Sequence, residues 1–247
     1  MTQASASSGA GPTVALVHGA FADSSSWNEV VALLLAGGTP VQAISNPLRG
    51  IAHDAGYVAS ALSQIPGPVL AVGHSYGGAI ITNAALRAGN VLGLVYVAAF
   101  APDEGETLQE IEAGSTDSVL NTALLQLRYP VGEDGETQIE FAIDPDKFHD
   151  AFAADVSEER ARVMAATQRP VSALGFVEPS GTPAWKTLPS WAVVASGDRA
   201  AGSDVVRRMA QRAGATITEV EGSHVIMVSQ PKVVTEVIQQ ALSALAG

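Results

Sequence analysis

Six short apolar runs, separated by segments of helical periodicity, constrain this chain more than any other feature. They are Thr13–His18, Thr39–Ile44, Pro68–His74, Leu92–Ala98, Ser190–Ser196 and Ala215–Val220. Most are continuous rather than alternating, which is how strands read when both faces of a parallel sheet are covered. Val58, Leu62 and Ile65 form one helical stripe, and Val234, Ile238, Ala241 and Leu245 form another, opened by Pro231 at its first turn. Strands alternating with helices predict an α/β fold: about six mostly parallel strands with helices on both faces and right-handed crossovers.

One interval departs from this rhythm. Between Pro102 and Leu188 no buried strand is evident, and the composition turns acidic. Thr116–Leu127 and Ser157–Thr167 read as helices, with Pro130, Pro145, Pro170, Pro179 and Pro183 between elements. A connection this long inside a compact domain is usually functional. The expected organisation is therefore a core of residues 13–101 and 189–247, with a helical cap at 102–188 inserted after the fourth strand. Residues 1–12, rich in Ala, Ser and Gly, read as a disordered leader with no basic, apolar signal pattern.

Composition narrows the function classes. The chain of 247 residues suits one α/β domain, and 47% apolar residues can fill its core. The formal charge of -12 disfavours nucleic acid. With no cysteine, disulfides, thiol nucleophiles and thiolate metal sites are excluded together. No apolar run is long enough to span a membrane, and the default expectation is a cytoplasmic protein. No nucleotide-binding loop or H-E-x-x-H helix occurs, so neither a cofactor nor a metal is expected. Ser229-Gln-Pro-Lys232 matches S-x-x-K by chance, without the context of penicillin-recognising enzymes.

Chemistry concentrates at Gly73-His74-Ser75-Tyr76-Gly77-Gly78, between the apolar strand Val69–Val72 and the helix-forming stretch Ala79–Ala88. G-x-S-x-G alone is a weak signal, but a strand before it and a helix after it make a nucleophile elbow. The sharp turn exposes the serine hydroxyl, and the helix N-terminus aims free N–H groups at a developing oxyanion. Serine needs a base. His224, in Glu221-Gly222-Ser223-His224 after the last strand, lies at the sheet edge where ligands bind in open parallel sheets. The imidazole needs a carboxylate in turn, and Asp198, ending the fifth strand, fits. Asp103 is the rival acid, whereas Glu219 and Glu221 are too near His224 in sequence to reach round its ring.

The remaining candidates follow from position. Tyr76 N–H, after the nucleophile, and Ala20 N–H, in the loop after the first strand, are the expected oxyanion donors. His18 and His74 each end a strand beside glycine and read as shapers of turns and of the oxyanion wall. His53 and His149 read as solvated. Phe21 is an expected substrate wall, and Trp185, on the return from the cap, an expected pocket residue.

With these residues in place, the sequence resembles the α/β-hydrolase superfamily over nearly all its length after the leader. The chain order Ser75, Asp198, His224 is that superfamily's order. The His18-Gly19 loop and the stretch Ser223-His224-Val225-Ile226-Met227 leading to Pro231 add to the likeness. The pattern looks closest to the branch of plant methylesterases and hydroxynitrile lyases, which implies a six-stranded parallel core and a small helical lid over the serine. The lyases of that branch carry a lysine after the catalytic histidine, where this chain has Val225. The elbow holds serine rather than aspartate, which disfavours dehalogenase and epoxide hydrolase chemistry.

The expected activity is that of a serine esterase taking a small or medium, mostly apolar carboxylic ester or lactone through an acyl-enzyme on Ser75. The alternatives are a lyase or cofactor-free perhydrolase using the same triad, and a ligand-binding protein on a hydrolase scaffold. Oligomeric state is not legible.

Overall fold

The computed structural model describes residues 11–132 and 134–246. Most of the expected leader therefore lies outside the described residues. In chain order the elements are β1 (Thr13–Val17), α1 (Asn28–Ala36), β2 (Val41–Ile44), α2 (Ile51–Ser63), β3 (Val69–His74), α3 (Tyr76–Ala88) and β4 (Val91–Val97). An insertion follows, with α4 (Leu108–Ala113), β5 (Leu124–Val131), β6 (Glu136–Ile143), α5 (Pro145–Phe152), α6 (Glu158–Thr167), β7 (Val171–Ser172) and α7 (Leu174–Val177). The chain then returns through β8 (Ser190–Ala195), α8 (Ser203–Arg212), β9 (Thr216–Val220), α9 (Ile226–Ser229) and α10 (Pro231–Leu245).

All six expected strands pair in one parallel sheet of order β2-β1-β3-β4-β8-β9. Their continuous apolar character has a direct cause. Along β1, Ala15 and Val17 point into the cluster shared with α2, α3 and α8, while Val14 and Leu16 point into the cluster shared with α1 and α10. Period-2 alternation puts successive side chains on opposite faces, and both faces are covered. Each fully buried aliphatic side chain stabilises the fold by about 1.5–3 kcal/mol. A strand buried on two faces thus tolerates no polar substitution on either. Among the described residues, no helix is long and apolar enough to cross a membrane.

The insertion differs from the helical cap that the sequence predicts. It carries a small antiparallel sheet, β5-β6-β7, beside its helices. Ser157–Thr167 does form a helix, α6, with the Ser157 side chain accepting from Arg160 N–H as N-cap. Thr116–Leu127 does not: it passes through a single 3₁₀ turn and enters β5. Leu120, Leu124 and Leu127 mimic a helical stripe, yet Leu125 and Leu127 are largely exposed on the strand. The competing signal lies downstream. Gly132 and Gly135 adopt positive φ in the turn, and β6 pairs back from Val131↔Glu136 to Leu124↔Ile143. Strand pairing across a glycine turn won over local helix propensity.

Candidate active site

The elbow forms as its glycines require. Ser75 sits between β3 and α3 with φ 52° and ψ −125°, a conformation that costs a non-glycine residue on the order of 1–3 kcal/mol. Ser75 carbonyl oxygen accepts from Gly78 N–H at 2.9 Å and Phe100 N–H at 3.2 Å, which holds the strained turn from two sides. A Cβ on Gly77 would collide with the carbonyl oxygen of Val17, so α3 can approach β1 only through glycine here.

The loop after β1 closes over the same point. A Cβ on Gly19 would fall 2.6 Å from Ser75 Cβ, so this loop lies directly against the serine side chain. Asn46 N–H donates to Nε2 of His18 at 2.9 Å, which leaves the ring proton on Nδ1, facing Gly19 carbonyl oxygen at 2.9 Å. Burial, the largest influence, lowers the His18 pKa to about 4, so the ring stays neutral. The Gly19 carbonyl and the Ala20 N–H belong to one peptide unit and point in opposite directions. Holding the former against His18 turns the latter away. Ala20 and Tyr76 are both buried, and among the described residues neither backbone N–H donates to a protein acceptor. Buried amides are rarely left so, and two beside one strained serine suit an oxyanion.

His224 and Asp198 meet at the end of the sheet. His224 Nδ1–H donates to Asp198 Oδ2 at 2.8 Å, with both side chains only 1% exposed. The other carboxylate oxygen accepts from Ala200 N–H at 2.9 Å and Ala201 N–H at 3.0 Å, so the acid is held by three donors. That bond fixes the tautomer and leaves Nε2 of His224 as the acceptor. Ser75 Oγ makes no hydrogen bond among the described residues, and the Ser75–His224 link is not closed in this conformation. The two residues are nonetheless tied through their neighbour. His74 Nε2–H donates to His224 carbonyl oxygen at 3.0 Å, and the two rings lie 4.8 Å apart. His74 is fully buried, and desolvation holds its pKa well below the ordinary histidine value. Its role as a donor to the His224 backbone is invisible in sequence, where it reads only as an elbow residue.

Other expected residues fall at the margins. Phe21 is buried with φ 58° and meets Phe152 edge-on at 6.1 Å, so it forms part of the wall near the loop after β1. Trp185 instead donates to Pro102 carbonyl oxygen at 3.1 Å and lies under Lys186 and Arg212. Phe152 in turn packs on the His224 ring at 4.9 Å, whereas none of these Trp185 contacts involves Ser75, Asp198 or His224. Asp103 pairs with Lys186 at 2.5 Å and does not approach His224. His53 is exposed as expected, but His149 is half-buried, its Nε2 at 3.0 Å from Val156 carbonyl oxygen.

Sequence reasoning missed Asp155, between α5 and α6. Its carboxylate accepts from Ser223 N–H at 2.8 Å, from Ser223 Oγ and from Ser229 Oγ at 2.6 Å. The insertion thereby grips the loop that carries His224. Only the acidic bias of the insertion hinted at it. Among the described residues, no group of acidic and histidine side chains is arranged to hold a metal ion.

The fold and this geometry define an α/β-hydrolase architecture, and comparison with known proteins agrees. A profile described as "Alpha/beta hydrolase family" matches residues 14–237, and the chain belongs to that family. A crystal structure of polyneuridine aldehyde esterase superposes with a TM-score of 0.77, at 19% identity, over 96% of this chain and 100% of that one. A pyrethroid hydrolase from Sphingobium faniae JZ-2 gives 0.76 at 23% identity, covering 95% and 98%. A methylesterase from Arabidopsis gives 0.76 at 19% identity, covering 94% and 99%. A search of curated proteins finds no match.

Proposed function

We propose that this protein is a serine esterase acting on a small or medium, mostly apolar carboxylic ester or lactone. The observation that carries this reading is the buried Asp198–His224 hydrogen bond at the same sheet edge as the strained Ser75 elbow. On this reading a modest rotation of the Ser75 side chain completes the triad once substrate is seated, since such bonds are often long before substrate binds. Ser75 Oγ attacks the carbonyl carbon as its proton passes to His224 Nε2. The carbonyl π pair moves onto oxygen and is met by the Ala20 and Tyr76 amides. His224 then protonates the departing alcohol, leaving an acyl group on Ser75. Water attacks that ester, again giving a proton to His224, and the acid leaves as Ser75 recovers its proton. Each oxyanion donor is worth on the order of 10²–10³ in rate. The 102–188 insertion acts as a cap that selects the ester and excludes water. The relatives named above as esterases or hydrolases support this reaction class.

Ser75→Ala is expected to abolish hydrolysis of p-nitrophenyl acetate while circular dichroism and the melting transition stay as in the wild type. Turnover persisting in the purified variant would overturn the assignment. Product analysis with peroxide or a cyanohydrin tests the perhydrolase and lyase alternatives, neither of which any feature of the site favours.

A further inference from the structure

We propose that the cavity between α4, the β5–β6 hairpin and α7 binds an ester arm bearing a protonated amine, with Glu112 receiving the ammonium. Resting on the esterase reading for the identity of that arm, the inference concerns which ester the site accepts. The cavity measures about 550 Å³ and is lined by Glu112, Leu124, Gln126, Phe141, Phe176 and Val177, among others. Its walls are mostly apolar, as in pockets that enclose small molecules. Its walls adjoin elements that pack against the proposed chemistry, while Ser75, Asp198 and His224 do not themselves line it. A Cβ on Gly175 of α7 would lie 3.0 Å from the ring of Tyr76, the residue after Ser75. Glu112 on α4 connects through Ser118 to the loop that holds Asp198: Ser118 Oγ lies 2.6 Å from Ala200 carbonyl oxygen and 3.3 Å from Glu112 Oε1.

Glu112 is the anomaly that points to a ligand. It is only 4% exposed, and no Lys, Arg or His pairs with it among the described residues. The short bond of Ser118 to Ala200 takes up the hydroxyl proton, so Oε1 receives at most a weak donation. Oε2 has no hydrogen-bond partner among the described residues. A carboxyl so placed is rarely kept without a partner. Phe141, Phe176 and Leu124 offer cover for an apolar stem, and the carboxyl offers the one charge that fits an ammonium head. The titratable groups acting on Glu112 are His224, which lowers its pKa, and Asp198, which raises it. Desolvation outweighs both and pushes it up to about 7. A cation bound there favours the ionised form, so binding near neutral pH releases a proton and strengthens as pH rises through 7.

The test is calorimetric titration of wild type and Ser75→Ala with 4-phenylbutylammonium, 4-phenylbutanol and 4-phenylbutyrate at pH 7, in two buffers of different ionisation enthalpy. The ammonium is expected to bind about tenfold tighter than the alcohol and release a fraction of a proton, with the carboxylate weakest. Glu112→Gln should equalise ammonium and alcohol. Equal affinities for the three probes, no binding, or ammonium binding by wild type without proton release overturns the proposal, and the last needs no variant. Because the readout involves no turnover, amine binding by a protein that proves inactive on esters leaves this site standing. An active esterase indifferent to the ammonium removes this inference alone.

Discussion

The neutral His18 ring acts twice at the scale of single residues. It fixes the orientation of the Gly19–Ala20 peptide, and it links stability to pH. In the unfolded chain it takes a proton below about pH 6.5, while in the fold it stays neutral down to about 4. The unfolded state therefore binds more protons across that window, and stability is lost as pH falls through it. The full effect is about 3 kcal/mol. Glu112 acts with the opposite sign between about 4.5 and 7, since the fold holds its proton longer. The two are separated by measuring urea midpoints of wild type against His18→Asn. Their stability difference should shrink by about 3 kcal/mol from pH 6.5 to pH 4, and a difference independent of pH would contradict the burial argument. Asp198 gives a second prediction. Asp198→Asn keeps the shape but loses the charge that fixes the His224 tautomer, and should lower kcat by on the order of 10³–10⁴ in an ester assay.

Among the elements, the link between insertion and core carries the next consequence. Asp155 joins the α5–α6 connection to Ser223 and Ser229 on either side of His224. Asp155→Ala should cut kcat by about tenfold, with a loss of about 1–3 kcal/mol in stability from the orphaned partners. A fall in stability with kcat unchanged would show that the contact only fastens the insertion. This is also where sequence reading is weakest. β1, β3 and β8 are legible because burial on two faces writes an unbroken apolar run. β5 is half exposed, so its leucines carry no face preference, and its partner β6 has to be recognised first. Asp155 illustrates the same limit, because a lone acidic residue becomes meaningful only when a loop 68 residues away is brought to it.

Across the whole molecule, Ser75, Asp198 and His224 could be chosen because each follows a strand of a parallel sheet, and such sheets gather their C-terminal loops at one edge. His74 and the free amides of Ala20 and Tyr76 were only partly legible, since hydrogen-bond direction is a property of the folded backbone. The strand order β2-β1-β3-β4-β8-β9 has a further consequence for synthesis on the ribosome. The first four strands made are already neighbours, so a growing chain can assemble that half-sheet, serine elbow included, before β8 exists. Asp198 and His224 join only with the final third of the sequence. If Ser75 is the nucleophile proposed above, its hydroxyl meets its proposed base only once translation reaches that final third.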